Sequence, residues 1–239
     1  MEPPPAIQPS RFFNRVAELD ALQRSYSTPS PNGQLVLVSG RRRLGKTFLL
    51  QRFFAGAPGE NPKPHCYHLA DQSNAAEQRD SIARQLLETF PEPGTEPAEI
   101  AVSWNSLLRH VGRLARPDGP RIGWILDEFP YLVEQTPELP SILQAWWDRE
   151  GIHKRLMVVL CGSHLSTMNS LGTPNAPLYG RFSGGILPIR PLGYRDVAEF
   201  TRNVPGYDIP WVLSLYGMLG GTPRYHALLD TTKDPHTAV

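Results

Sequence analysis

The 239-residue sequence is poor in long apolar runs, in cysteine and in net charge. No stretch approaches the roughly 20 consecutive apolar residues that a membrane-spanning helix needs. The opening "MEPPPAIQPS" lacks the basic and apolar regions of a signal peptide. A soluble, cytoplasmic protein with no membrane partner is therefore expected. Net charge is +1, from 24 Lys and Arg against 23 Asp and Glu. That balance is no argument for nucleic acid as a partner, although local patches can still matter. The two cysteines, Cys66 and Cys161, lie in apolar runs and read as buried free thiols of a reducing compartment. In "PKPHCYHL", His65 and His68 would point to opposite faces of a strand, which argues against shared metal ligation.

Proline is plentiful, clustered at the N-terminus and between residues 58 and 97, where it punctuates loops. Residues 1 to 10 read as a disordered lead-in. "NRVAELDALQRSY" has helical spacing, and "QLVLVS" (34 to 39) reads as a buried strand. "KTFLLQRFF" reads as a helix that begins inside a glycine loop. "HCYHLA", "IGWILDEF", "RLMVVLCGS" and "GGILPIRPL" supply four more strands. Between them, "AAEQRDSIARQLLETF", "WNSLLRHVGRLA" and "ELPSILQAWWDRE" read as helices. The tail is helical throughout: "YRDVAEFTRN", "IPWVLSLYGML" and "PRYHALLDTT". Strands alternating with helices predict an α/β fold, a parallel sheet covered on both faces. We expect a core over residues 11 to 193 and a small helical lid over 194 to 239.

Residues 40 to 47 read G-RRRL-GKT, which matches G-x-x-x-x-G-K-[ST] in full. Gly40 and Gly45 permit the backbone angles that turn amide groups inward as a nest for phosphate oxygens. The helix starting at Lys46 adds its positive dipole end. The Lys46 ammonium suits β- and γ-phosphates, and the Thr47 hydroxyl suits Mg²⁺. A strand before the loop and a helix after it are the context this chemistry requires. Arg41, Arg42 and Arg43 have two readings: contact with phosphate, a neighbouring subunit or a polynucleotide, or plain solvation. Leu44 and Phe48 complete the candidate loop.

"WILDEF" ends a buried strand in two acids. Asp127 is the candidate that holds Mg²⁺ through its water shell, and Glu128 the candidate general base for an attacking water. Ser163, at the end of "LMVVLCGS", would lie beside the phosphate loop if that strand neighbours the first. It would then orient water or sense the γ-phosphate; capping the next helix is an equal reading. Arg181, in "PLYGRFSGG", is a candidate for stabilising transition-state charge.

At this point the chain resembles a family: the archaeal-type P-loop ATPases of the signal-transducing (STAND) NTPase class, relatives of AAA+ proteins. The resemblance is carried, in order, by "FFNRVAELDAL", "SGRRRLGKTFLL", "ILDEFPYL", "CGSHLSTM…PLYGRFSGGILPIRPLGYRDVAEF" and "YGMLGGTPRYHALL". It implies a five-stranded sheet in the order 5-1-4-3-2 with a helical lid. It implies that Phe13, Asn14 and Arg15 lie near the adenine, that Pro223 packs on the base or ribose from the lid, and that Arg181 is a finger-like arginine acting in cis or from a neighbour. ATP and Mg²⁺ are the implied cofactors, and a homo-oligomer is compatible with the class. No N-K-x-D stretch of the kind that reads guanine is present, which favours ATP over GTP. Family members usually continue into a winged-helix region, whereas here only "HALLDTTKDPHTAV" follows. Protein or DNA binding housed in such a region does not transfer to this sequence. Two functions are thus in view: an Mg²⁺-dependent ATPase that drives a conformational switch, and a nucleotide-gated protein- or DNA-binding module with negligible turnover. A kinase acting on a small molecule is disfavoured, because the acidic pair suits water.

Overall fold

The protein is described from a computed structural model, which covers residues 14–29, 32–56, 59–202 and 208–228. Five strands form one parallel sheet: β1 (Gln34–Ser39), β2 (His65–Leu69), β3 (Ile122–Asp127), β4 (Leu156–Gly162) and β5 (Gly185–Pro188). Their spatial order is β2-β3-β4-β1-β5, the expected order read from the other edge. The helices are α1 (Val16–Tyr26), α2 (Lys46–Ala55), α3 (Ala75–Thr89), α4 (Pro97–Ile100), α5 (Trp104–Leu114), α6 (Phe129–Gln135), α7 (Leu139–Arg149), α8 (Leu165–Leu171), α9 (Tyr194–Thr201), α10 (Ile209–Leu219) and α11 (Pro223–His226).

Side chains alternate across a strand, and the core divides accordingly. Leu35, Leu37, Trp124, Leu126, Leu156, Val158 and Leu160 face one layer, which holds residues of α3, α5, α6, α7 and α8. Val36, Val38, Ile125, Met157, Val159 and Cys161 face the other, against Leu22 of α1 and Leu49, Leu50, Phe53 and Phe54 of α2. The inner strands β1, β3 and β4 are buried along their whole length, which is why they read as unbroken apolar runs.

The register sets the site. Ser39 at the end of β1 pairs with Gly162 at the end of β4, and Leu69 of β2 pairs with Asp127 of β3. The carboxyl ends of these strands therefore meet along one rim, where open parallel sheets bind ligands. At the other end, Val36 pairs with Gly185 and the Gly184 N–H donates to Leu35 O, so the approach to β5 lies beside the start of β1.

Among the described residues after β5, the regular elements are the helices α9, α10 and α11. Leu192, Val197, Trp211, Val212 and Leu215 form a cluster of their own. Gly221 crosses Leu192 so closely that an added Cβ would lie 1.8 Å from the Leu192 carbonyl oxygen. Among the described residues, no helix is long and apolar enough to cross a membrane. The expected lead-in (1 to 10), Phe13 and the end of the expected last helix lie outside the described residues. Cys66 and Cys161 are free and buried. Burial pushes the Cys66 thiol up to about 12, and it raises Cys161 as well.

Candidate functional site

The phosphate loop joins β1 to α2. Gly45 stands at φ 85 with no atom near its missing Cβ, and Arg43 is also left-handed at φ 69. Gly40 passes Ile189 so closely that a Cβ would meet its carbonyl oxygen at 2.5 Å. The loop thus needs glycine at both positions, at Gly45 for conformation and at Gly40 for space. Gly45 caps α2 without a side-chain acceptor. The first N–H groups of the helix therefore point at the loop with no intrahelical partner, as an anion site requires.

Lys46 is 5% exposed, and its Nζ donates to Gly40 O (2.8 Å), Arg41 O (3.2 Å) and Ser163 Oγ (3.0 Å). All these acceptors are neutral, so among the described residues no side-chain carboxylate hydrogen-bonds the buried ammonium. Thr47 Oγ1 donates to Asp127 Oδ2 at 2.6 Å, joining the loop to β3. Asp127 is 1% exposed; its Oδ1 accepts from the Glu128 N–H (2.9 Å) and its Oδ2 also accepts from the Tyr67 hydroxyl. A hydroxyl and a carboxylate are hard oxygen donors of the kind Mg²⁺ prefers, so this pair fits the ion. Among the described residues, no group of three or more His, Cys, Asp and Glu side chains is placed to hold a metal ion. His68 is buried between Gln78 and Gln85.

Glu128 caps α6 at φ 51 and ψ 42, left-handed for a residue with a Cβ. Such a conformation costs about 1–3 kcal/mol and is tolerated where the surroundings enforce it. It turns the carboxylate toward β4, where Oε1 accepts from Ser163 Oγ (2.5 Å) and Oε2 from the Ser163 N–H (3.1 Å). Ser163 thus touches both Lys46 and Glu128. It does not cap α8, whose N-cap is His164, with no side-chain hydrogen bond to the backbone of the first turn. Beside Glu128 lies a cleft of about 310 Å³, lined by Arg42, Gln72, Tyr131, Glu134, Ser163 and His164 among others.

The loop arginines are exposed. Arg42 donates to the Tyr131 hydroxyl (3.0 Å), and Arg43 donates to the Tyr225 hydroxyl (3.1 Å) while lying over its ring. Leu44 is buried in the core, so only its backbone can serve a ligand; Phe48 is half-buried in the first turn of α2. Arg15, left-handed at φ 69, donates to the Leu44 carbonyl (3.1 Å) and pairs with Glu18 (3.0 Å). Asn14 reaches Asp196 of α9 (2.5 Å). Pro223 opens α11, the helix that brings Tyr225 to Arg43.

Arg181 is the predicted residue that the fold does not bring to this rim. Its Nε and Nη2 make a two-point pair with Asp148 of α7, both at 2.8 Å, and Nη1 donates to Pro177 O and Tyr179 O. Asp148 holds the guanidinium above its ordinary pKa, and Arg181 holds the Asp148 carboxyl below its own. Nearby Ser183 donates to Gly33 O, before β1. The length of β1, about 17 Å at roughly 3.3 Å per residue, therefore separates Arg181 from its own phosphate loop. Action in cis is not supported by this placement.

Tyr67, Tyr131 and Tyr225 were not evident from sequence. Tyr67 was readable only as an alternate position on an edge strand. Its place beside Asp127 depends on the β2–β3 register.

Comparison with known proteins bears on the same residues. A family described as an ATPase domain predominantly from Archaea matches residues 12–229. The uncharacterized protein MJECL04 of Methanocaldococcus jannaschii is 27% identical over 215 residues, 90% of this chain and 43% of its own length. The chain thus spans under half of that relative. The Walker-type ATPase PABY2304 of Pyrococcus abyssi superposes with a TM-score of 0.66 at 20% identity, over 95% of this chain and 69% of that one. A signal transduction ATPase with numerous domains from Pyrococcus horikoshii, PH0952, which has a tetratricopeptide repeat sensor, gives 0.59 at 14% identity, over 97% of this chain and 32% of that one. At these identities the structures share the fold.

Proposed function

This chain belongs to the family of ATPase domains predominantly from Archaea, and from that premise we propose that it binds ATP with Mg²⁺ and hydrolyses it to move its helical lid. The observation that carries this reading is the 2.6 Å bond from Thr47 to Asp127, with the neighbouring Lys46 and Glu128 linked to each other through Ser163.

On this reading the backbone of residues 40 to 47 cradles the phosphates and Lys46 turns its ammonium from the loop carbonyls to the β- and γ-oxygens. Thr47 and Asp127 would hold Mg²⁺, which when bound draws negative charge from those oxygens. Glu128 takes a proton from water as the water oxygen bonds to the γ-phosphorus and the bridging β–γ bond breaks, releasing ADP and phosphate. Asn14, Arg15 and Pro223 lie near the adenine, and residues from 194 onward act as the lid. Arg181 serves the nucleotide of a neighbouring copy rather than its own, which makes the active form a homo-oligomer.

The test is phosphate release with ATP and Mg²⁺ over a range of protein concentrations. We expect a rate per chain that rises with concentration, disappears in Lys46→Ala together with nucleotide binding, and disappears in Glu128→Gln with binding retained. Turnover by Glu128→Gln at the parental rate would falsify the base assignment, and a rate independent of concentration would remove the neighbour.

A second reading has its own observation. Both Glu128 oxygens are held by Ser163, which restrains the base. A nucleotide-gated module that presents a surface to protein or DNA, with negligible turnover, fits that restraint. Tight ADP retention without phosphate release would favour it.

A further inference from the structure

Asp127 is surrounded by more donors than the phosphate loop supplies. Alternation along β3 puts Ile125 and Asp127 on the face that carries α2. Tyr67 pairs with Ile125 across the strands and leans onto the same face, while Cys66 turns to the opposite layer. The phenol therefore arrives at Asp127 from the edge strand, and Thr47 arrives from α2. Both hydroxyls converge on Oδ2, whereas Oδ1 takes the Glu128 N–H. The Cys161 thiol, also against this carboxylate, is a weak donor.

We propose that Tyr67 is a positioning residue for the cation site: with Thr47 it fills Oδ2 of Asp127, fixes the carboxylate plane and leaves Oδ1 to the water shell of Mg²⁺. A carboxylate oxygen offers two lone-pair positions. Two hydroxyls occupy those of Oδ2, and one N–H occupies half of Oδ1. The remaining strong acceptor position is the one the cation's water must use. Partners that orient a metal-binding group in this way commonly change metal affinity by about tenfold or more when removed. The phenol reaches Asp127 as a hydrogen-bond donor on the oxygen that Thr47 also occupies. The inference rests on the ATP and Mg²⁺ reading above.

The experiment measures binding, not turnover. Affinity for a fluorescent ATP analogue is followed in chelator and across a Mg²⁺ titration, for the parent chain, Tyr67→Phe and Thr47→Ala. Tyr67→Phe is expected to raise the half-saturating Mg²⁺ about tenfold, with chelator affinity and melting temperature in chelator unchanged. A structural defect would instead lower both chelator values. An unchanged Mg²⁺ half-saturation in Tyr67→Phe, beside a raised one in Thr47→Ala, overturns the role of Tyr67 and leaves the ATP reading standing. A parent chain whose affinity ignores Mg²⁺, or that binds no nucleotide, overturns both.

Discussion

Ser163 is the residue that joins the phosphate loop to the acidic pair. Its hydroxyl lies 3.0 Å from the Lys46 ammonium and 2.5 Å from the Glu128 carboxylate, so it bridges the proposed phosphate ligand and the proposed general base. The β1–β4 register carries it there, with Gly162 opposite Ser39. Removing the hydroxyl leaves the Ser163 N–H on Glu128 but frees one carboxylate oxygen. We expect Ser163→Ala to lower kcat about tenfold, less than the roughly hundredfold or more lost with a group that itself transfers the proton, with nucleotide affinity little changed. A pre-steady-state phosphate assay beside a binding titration separates the two quantities. A rise in kcat would instead identify Ser163 as a brake and favour the gated module.

At the scale of elements, the helices that frame the site are held by local signals of different kinds. α3 opens with a capping box in which Asn74 accepts from the Ala76 and Glu77 N–H groups and Glu77 returns to the Asn74 N–H. This helix covers β2, the strand that carries Tyr67. Asn74→Ala is expected to destabilise the protein by about 1 kcal/mol, read from the midpoint of urea unfolding with an unchanged slope. A shift near zero would mean that tertiary packing alone sets the start of α3. α6 begins differently: Glu128 caps it with a backbone strained into the left-handed region, and Pro130 occupies the first turn. That helix, like α4 and α8, is too short for periodicity to reveal. The long elements followed from their apolar spacing alone.

Across the molecule, side chains beside the phosphate loop reach the tail helices. Arg43 of the loop holds Tyr225 of α11, and Asn14 holds Asp196 of α9. Within that tail, His226 is 2% exposed, bonded to Gly220 O, and burial lowers its pKa from the ordinary 6.5. The unfolded chain then takes up a proton at a pH where the folded one does not. Stability from this group is whole above about pH 6.5 and is lost as pH falls toward the lowered value. His110, also buried with its pKa lowered mainly by desolvation, acts with the same sign. We expect the melting temperature to fall between about pH 7 and pH 5, and His226→Asn to reduce that fall. An equal fall in parent and variant would show that His226 does not contribute.

The sequence by itself determined the local chemistry and the order of layers. G-RRRL-GKT specifies a loop of left-handed and closely packed glycines, "WILDEF" specifies two acids at the end of a buried strand, and the alternation of strands with helices specifies a parallel sheet. These follow from short-range constraints: backbone sterics, helix termini and apolar period. The resemblance added the strand order. The tertiary structure decided which side chains meet. Ser163 reaches Lys46 and Glu128 only because β4 lies between β1 and β3, and Tyr67 reaches Asp127 only through the β2–β3 register. Arg181 was legible as a cation in a loop, but the parallel pairing of β5 sets it beside the start of β1, with Asp148 as its partner. Register is a property of strands distant in sequence. It is fixed by the packing of two apolar layers on the sheet, and no local window contains it.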